Sequence, residues 1–446
     1  MYRQFIQSFT SSAKAEGISR LKFYVEEKKS RSLSVYEGEL ERLTRSELVQ
    51  MYVEGEYEGF GGGVFVESFD VGLIPQHILS IKESAQHVKG TFISYELSGL
   101  SQMEWVAYEP MELKMVLEQM TAANEIPHKM DNRILPNGEC HLTETSRTYT
   151  LSDETGVFVT DAISGGSAYI SAVAKVGEDA QSSGQSVVFP AGQIPDLAHL
   201  ASAAAKEAVS FLGGSSYPTG ECPVVLESDV VCELLDAFMP TFFSQSVDNH
   251  MSVLAGKLGQ KVAGDNITIA EDPALPGGVR NRRFDDEGVS TCFKEIISSG
   301  VLKTYLYNRH TAAKNECVSK GNGFKPSINE GVSTGYTNIV LSSGEGDCLS
   351  LAKKMGTGLL ITNVNGVFAG AHPVSGEFSL IAKGYRVENG KIGSSVKQIT
   401  IAGNFFSVLS DVIAIGADER RMLMTNGAVC APSLYVRSLM ISGKEE

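Results

Sequence analysis

Long apolar runs are absent from this chain. No stretch approaches the roughly 20 uninterrupted apolar residues that a membrane span requires, so no membrane partner is expected. The N-terminus has no apolar core of signal-peptide length; it spaces Phe5, Ile6, Phe9 and Ala13 along one face of an amphipathic helix. Cysteine pairs are absent as well. The seven cysteines, an odd count, stand apart at positions 140, 222, 232, 292, 317, 348 and 430 with no CxxC. That speaks against a disulfide framework and for a reducing, cytoplasmic setting. Positive charge is scarce: 38 Lys and Arg stand against 53 Asp and Glu, for a formal charge of −15. Such a field repels phosphate backbones, so direct nucleic-acid binding is not expected. The densest basic run, Arg280, Arg282 and Arg283, leads straight into Asp285, Asp286 and Glu287.

The common catalytic spacings are missing too. No two of the eight histidines lie at i,i+4 and there is no HExxH, so no helix-borne zinc pair can be read directly. No GxSxG supplies a nucleophile elbow. Gly59 to Gly63 lacks the GxGxxG spacing and lies between strand-like runs, which fits a hairpin turn rather than a phosphate cradle. Cys140 and His141 are adjacent in what reads as a polar turn, and His372 falls in a turn between strands. Asp285, Asp286 and Glu287, like Glu345 and Asp347, read as turn and N-cap acids.

What is present is material for large cores: 446 residues, 42% hydrophobic and 20% charged, enough for more than one domain. Strand-like segments follow the first helix, and helices are expected over Leu73–His87, Met111–Asn124 and Leu197–Leu212. The Gly/Ser/Pro cluster from Gly213 to Gly220 marks the boundary between residues 1–219 and 220–446. The class is α+β. The first part is expected to carry a mixed sheet with helices. The second is expected to be a β-rich sandwich or barrel with short helices near Arg309, Leu349 and Asn404.

The second half also carries a series of phrases: Val253–Gly259, Phe284–Gly288, Gly300–Leu302, Thr357–Leu360 with Gly366, Pro373–Ser379, Val396–Lys397 and Thr400–Asn404. In this order they resemble the TldD/PmbA family, whose members are known as modulators of DNA gyrase. The resemblance implies a two-component peptidase. Its TldD-type subunit holds zinc through HExxxH and a later cysteine, and its PmbA-type (TldE) subunit lacks those ligands. A gapless count back from Ser252 puts the HExxxH window on Leu235 to Pro240. Leu235 and Pro240 then stand where ligands would, Asp236 replaces the glutamate, and Cys430 sits near the third position.

Neither Leu nor Pro side chains offer a lone pair to a metal. The expectation is a PmbA-type chain with no metal of its own and zinc in a TldD-type partner. It would act on unfolded or modified peptides, as a heterodimer with that partner or as a homodimer. Asp285, Asp286, Glu287 and Gly288, with His372, Ser375 and Gly376, are the candidate peptide wall or interface. Two alternatives stay open: a homodimeric scaffold acting on gyrase or another protein, and a hydrolase using Cys430 or Cys317.

Overall fold

The computed structural model describes residues 2–95, 97, 100, 109–424 and 426–444. Helix α1 (Tyr2–Ala15) leads into strands β1 (Leu21–Tyr36), β2 (Glu39–Tyr57) and β3 (Phe60–Val66). Helices α2 (Ile74–Val88) and α3 (Leu113–Met130) precede β4 (Glu139–Asp153), β5 (Phe158–Val176) and β6 (Asp179–Pro190), and α4 (Leu197–Ser210) follows. The strands form one sheet in the order β3-β2-β1-β4-β5-β6. Every pairing in it is antiparallel, which corrects the expected mixed sheet. The reason is local: Glu37–Gly38 and Glu58–Gly59 take positive φ at both positions, making two-residue turns that fold each strand back on its neighbour.

Alternation gives the sheet two unlike faces. Phe23, Val25, Leu33 and Val35 of β1 and Leu142 of β4 pack beneath the helices. The intervening Tyr24, Glu26 and Lys28, with Arg147 and Tyr149 of β4, line an open cavity on the other side. The glycine run does more than turn. A Cβ on Gly62 would lie 2.1 Å from the Ile81 carbonyl and 2.5 Å from the Ala85 nitrogen, so α2 rests directly on the β3 backbone. Cys140 and His141 are not in a turn; both lie within β4, Cys140 buried and His141 outside the core.

Residues 213–220 form an ordered crossover. The Ser215 amide donates to the Ser395 carbonyl at 3.2 Å, and the Lys397 amide to Ser215 at 2.9 Å. Next come β7 (Gly220–Leu226), α5 (Ser228–Phe238), α6 (Ser244–Asp248), β8 (Ile269–Glu271), β9 (Lys294–Ser298) and β10 (Val301–Leu302). Helix α7 (Arg309–Lys314), β11 (Gly323–Phe324), β12 (Ser333–Thr334), β13 (Asn338–Leu341), α8 (Cys348–Met355) and β14 (Gly358–Asn365) continue the chain. It ends in α9 (Val367–Gly370), β15 (Ala371–His372), β16 (Glu377–Glu388), β17 (Lys391–Asn404), α10 (Phe405–Ser410) and β18 (Val412–Ile415), then β19 (Arg420–Leu423), β20 (Ala428–Ala431) and β21 (Leu434–Ser442).

Strands β14, β7, β21, β17 and β16 pair in a ring, because β16 also pairs back to β14, and so close a barrel. A second sheet runs β10-β9-β8-β13-β20-β19. Helix α5 is packed between barrel and sheet, sharing one core with Val224, Leu226, Ile339 and Val429, and its Phe238 stacks on Phe405 with centroids 4.6 Å apart. The two parts of the chain are joined by charge. The Arg283 amide and Nε donate to the Asp161 carboxylate at 2.7 and 3.1 Å, and Lys397 Nζ reaches both oxygens of Asp179 at 2.8 and 2.9 Å.

Candidate functional site

Two sheet edges meet beside α5. Strand β6 is the outermost strand of the first sheet and β19 the outermost of the second. Between them, α4, α5 and the barrel lies a cleft of about 570 Å³. Arg420 of β19 ties the walls together: its Nε donates to Asp229 at 2.8 Å and its Nη2 to the Ser186 carbonyl of β6.

The cleft is acidic. Glu207 from α4, Glu227 at the N-cap of α5, Asp229 and Glu233 within α5, and Asp418 face, among the described residues, only Lys383 and Arg420. Burial, then the charge of Asp229, pushes Glu227 up to about 8 and Glu233 up to about 7. Burial also raises Asp229, against the pull of Arg420. The local sequence explains the placement: Asp229, Glu233 and Asp236 fall at i, i+4 and i+7, one stripe of α5, while Val231, Leu234, Leu235 and Phe238 are buried.

The positions expected to correspond to zinc ligands do not form a ligand set. Leu235 is 1% exposed and belongs to the core on the face away from the carboxylate stripe. Pro240 lies in the 3₁₀ turn Met239–Phe242 that follows α5. Asp236 accepts a hydrogen bond from the Tyr336 phenol. Cys430 is buried in β20 with Sγ 3.7 Å from a Glu419 oxygen; burial, then that carboxylate, raises its thiol. Among the described residues no three His, Cys, Asp or Glu side chains are grouped as a metal site. An aliphatic side chain, an imino acid and a carboxylate already hydrogen-bonded do not fit zinc. Neither thiol is activated for nucleophilic work: burial and the nearby Asp248 raise Cys317, which is exposed.

The acidic triplet is interior. Asp285 is 0% exposed and accepts from the amides of Glu287, Val289 and Gly323 at 3.0, 2.9 and 2.8 Å. Asp286 accepts from Arg282 at 2.8 Å and from the Lys325 amide at 2.9 Å, and Glu287 from the Arg309 amide at 2.7 Å. Gly288 makes the turn with φ +80°. These groups cross-brace the fold, and of the four only Asp286 lines one of the larger cavities. His372, Ser375 and Gly376 sit elsewhere, on an exposed turn of the barrel where the His372 carbonyl accepts the Gly376 amide at 2.8 Å. Beside them Phe368 is fully exposed and Val374 half exposed. The structure does not bring the two candidate groups together.

Sequence reasoning missed the cleft itself. The stripe on α5 was visible as spacing; Glu207, Lys383 and Arg420, each from a different element, carried no local signal.

Farther along β19 the charge reverses. A cavity of about 420 Å³ on the open face of the first sheet is lined by Lys28, Arg147, Arg280, Arg282 and Lys325 against Glu26 and Asp286. A slot of about 150 Å³, floored by Gly165 and Gly166, shares Arg147, Arg280 and Leu423 with it.

Comparison with known proteins places the chain. Residues 219–443 match the model of the PmbA/TldA metallopeptidase C-terminal domain, and the chain belongs to the PmbA/TldD family. Among curated relatives, the metalloprotease PmbA homolog of Haemophilus influenzae is 34% identical over 234 residues, 52% of this chain and 49% of that protein. Metalloprotease PmbA of Escherichia coli O157:H7 is 30% identical over 233 residues, 52% of this chain and 49% of its own length. The matched region thus spans about half the length of these relatives. Among solved structures, a Thermotoga maritima protein named as a candidate modulator of a DNA gyrase superposes with a TM-score of 0.88 at 28% identity, covering 99% of this chain and 100% of its own. TldE from Thermococcus kodakarensis shares the fold, with a TM-score of 0.83 at 18% identity over 98% of this chain and 100% of that one.

Proposed function

We propose that this chain is the metal-free, PmbA-type subunit of a two-component peptidase, and that it holds unfolded or modified peptides for a zinc-bearing TldD-type partner. The observation that carries the reading is the pairing of a built cleft with a ligand window that cannot bind zinc: Leu235 is committed to the core and Pro240 to a turn. Bound zinc would supply Lewis acidity, and here that chemistry falls to the partner.

What this chain contributes is placement. Two outer strands, β6 and β19, border the cleft, and an outer strand has main-chain groups available to an extended peptide. The carboxylates at the start of α5 favour a basic or amino-terminal group there. The exposed turn with Phe368, Val374 and His372 is the surface assigned to the partner.

The test is co-purification with a TldD-type protein, followed by hydrolysis of an unfolded peptide by each chain alone and by the mixture. Activity is expected only when the TldD-type chain is present, with this chain raising it. Zinc-dependent hydrolysis by this chain alone overturns the reading. A stable homodimer that ignores the TldD-type protein would favour a scaffold.

A further inference from the structure

The basic cavity has no role in the account so far, and its charge is unusual in a chain of net charge −15. The three basic groups that matter most there are differently satisfied. Arg282 is consumed: it pairs with Asp286 at 2.8 Å and stacks on the Tyr149 ring at 3.9 Å. Arg147 stands 3.8 Å from Glu26 and beside the Tyr149 phenol, with no close carboxylate contact. Arg280 has no ion-pair partner among the described residues; its amide donates to Asn338 while its side chain lines both the cavity and the glycine-floored slot.

Lys325 lies over the Tyr52 ring at 4.3 Å, and burial pulls its ammonium down to about 8. Thr334 in the wall carries a buried hydroxyl with no hydrogen-bond partner among the described residues, whereas Arg282 Nε stands 3.5 Å from the Asp161 carboxylate without a hydrogen bond. Positive charge gathered where water is partly excluded is costly unless an anion joins it.

We propose that this cavity is a carboxylate site: Arg147 and Arg280, at the junction of slot and cavity, bind the C-terminal carboxylate of an extended peptide lying in the slot. The inference rests on the peptide-holding reading and gives it a direction. Guanidinium forks match a carboxylate in two-point geometry. Gly165, opposite Thr145 on the face that carries Arg147, presents no side chain to block a backbone lying in the slot. Strand β19 runs from the acidic cleft to this cavity, with Arg420 lining the first and Leu423 the second. A peptide along it therefore meets carboxylates at its amino-terminal side and guanidiniums at its carboxy-terminal side.

The experiment is calorimetric titration of an unlabelled Ala/Ser octapeptide into the full chain, once with a free C-terminus and once as the amide. Inorganic phosphate serves as competitor. The free acid is expected to bind at least ~10-fold more tightly than the amide, in line with a charge-assisted hydrogen-bonded pair. Arg280→Gln should erase that preference. Glu26→Gln, which releases Arg147, should widen it ~2–3-fold, a gain that misfolding cannot mimic. Equal binding of acid and amide overturns the carboxylate site and leaves peptide holding intact. Binding of neither form overturns both. Arg280-dependent phosphate binding with no acid-over-amide preference also overturns the proposal, making the cavity a free-anion site.

Discussion

Glu227 and Glu233 border the cleft with carboxyl groups that resist ionisation. A carboxyl with a raised native pKa holds its proton longer in the folded than in the unfolded state, so stability falls as pH rises through the gap. For Glu227 the gap runs from the ordinary 4.5 to about 8. Glu227→Gln should therefore stabilise the protein at pH 8 by about 1 kcal/mol, the figure being kept low because the side chain is only half-buried. The gain should vanish near pH 4. Urea melts at the two pH values measure it, and a gain equal at both would mean the carboxyl is not the cause. At this scale the sequence was half readable. The stripe of Asp229, Glu233 and Asp236 was present as spacing but went unread; the missing lone pairs at Leu235 and Pro240 could be read. That Asp285 and Glu287 would be interior could not, because consecutive acids normally signal a solvated turn. Here the amides that satisfy them come from as far away as Gly323 and Arg309.

Elements were read better than residues, and the errors have physical causes. Helices α7, α8 and α10 lie where short helices were expected, and Asp347 caps α8 by accepting the Ser350 amide at 2.9 Å. Cys140 and His141 were misread because polar threonines surround them, yet threonine also suits a strand with one face towards helices. The glycine run at 59–63 was read as a turn, which holds for Gly59 only; Gly62 is there for helix contact. Gly62→Ala should cost about 2–4 kcal/mol, since the new methyl meets backbone rather than a movable side chain. Thermal denaturation measures the loss, and a shift within error would show that α2 can lift away without penalty. Gly59→Ala offers a contrast, since among the described residues nothing lies within 4 Å of its Cβ and its φ of +84° is what opposes it.

At the scale of the molecule, the cleft exists only because two sheets, one from each part of the chain, are held at one distance. Asp161 is central to that: it is 7% exposed at the side chain and lies beside both Arg282 and Arg283. Asp161→Ala should cost about 3–5 kcal/mol, the usual penalty for breaking a buried ion pair. It should also split a single unfolding transition into two, since the layers would then melt apart. Differential scanning calorimetry resolves this, and one sharp transition with unchanged enthalpy would place the coupling elsewhere. None of this geometry was legible in the sequence, because Asp161 and Arg283 are 122 positions apart and each alone resembles an ordinary surface charge.

The barrel closes between distant parts of the chain: Val224 of β7 lies opposite Val436 of β21. Ring closure across so long a loop is entropically expensive and slow. During synthesis the α5 helix and its carboxylates must therefore wait, with apolar faces uncovered, until nearly the whole polypeptide has left the ribosome. The yield of folded protein would then depend on how long this late-closing seam stays uncovered.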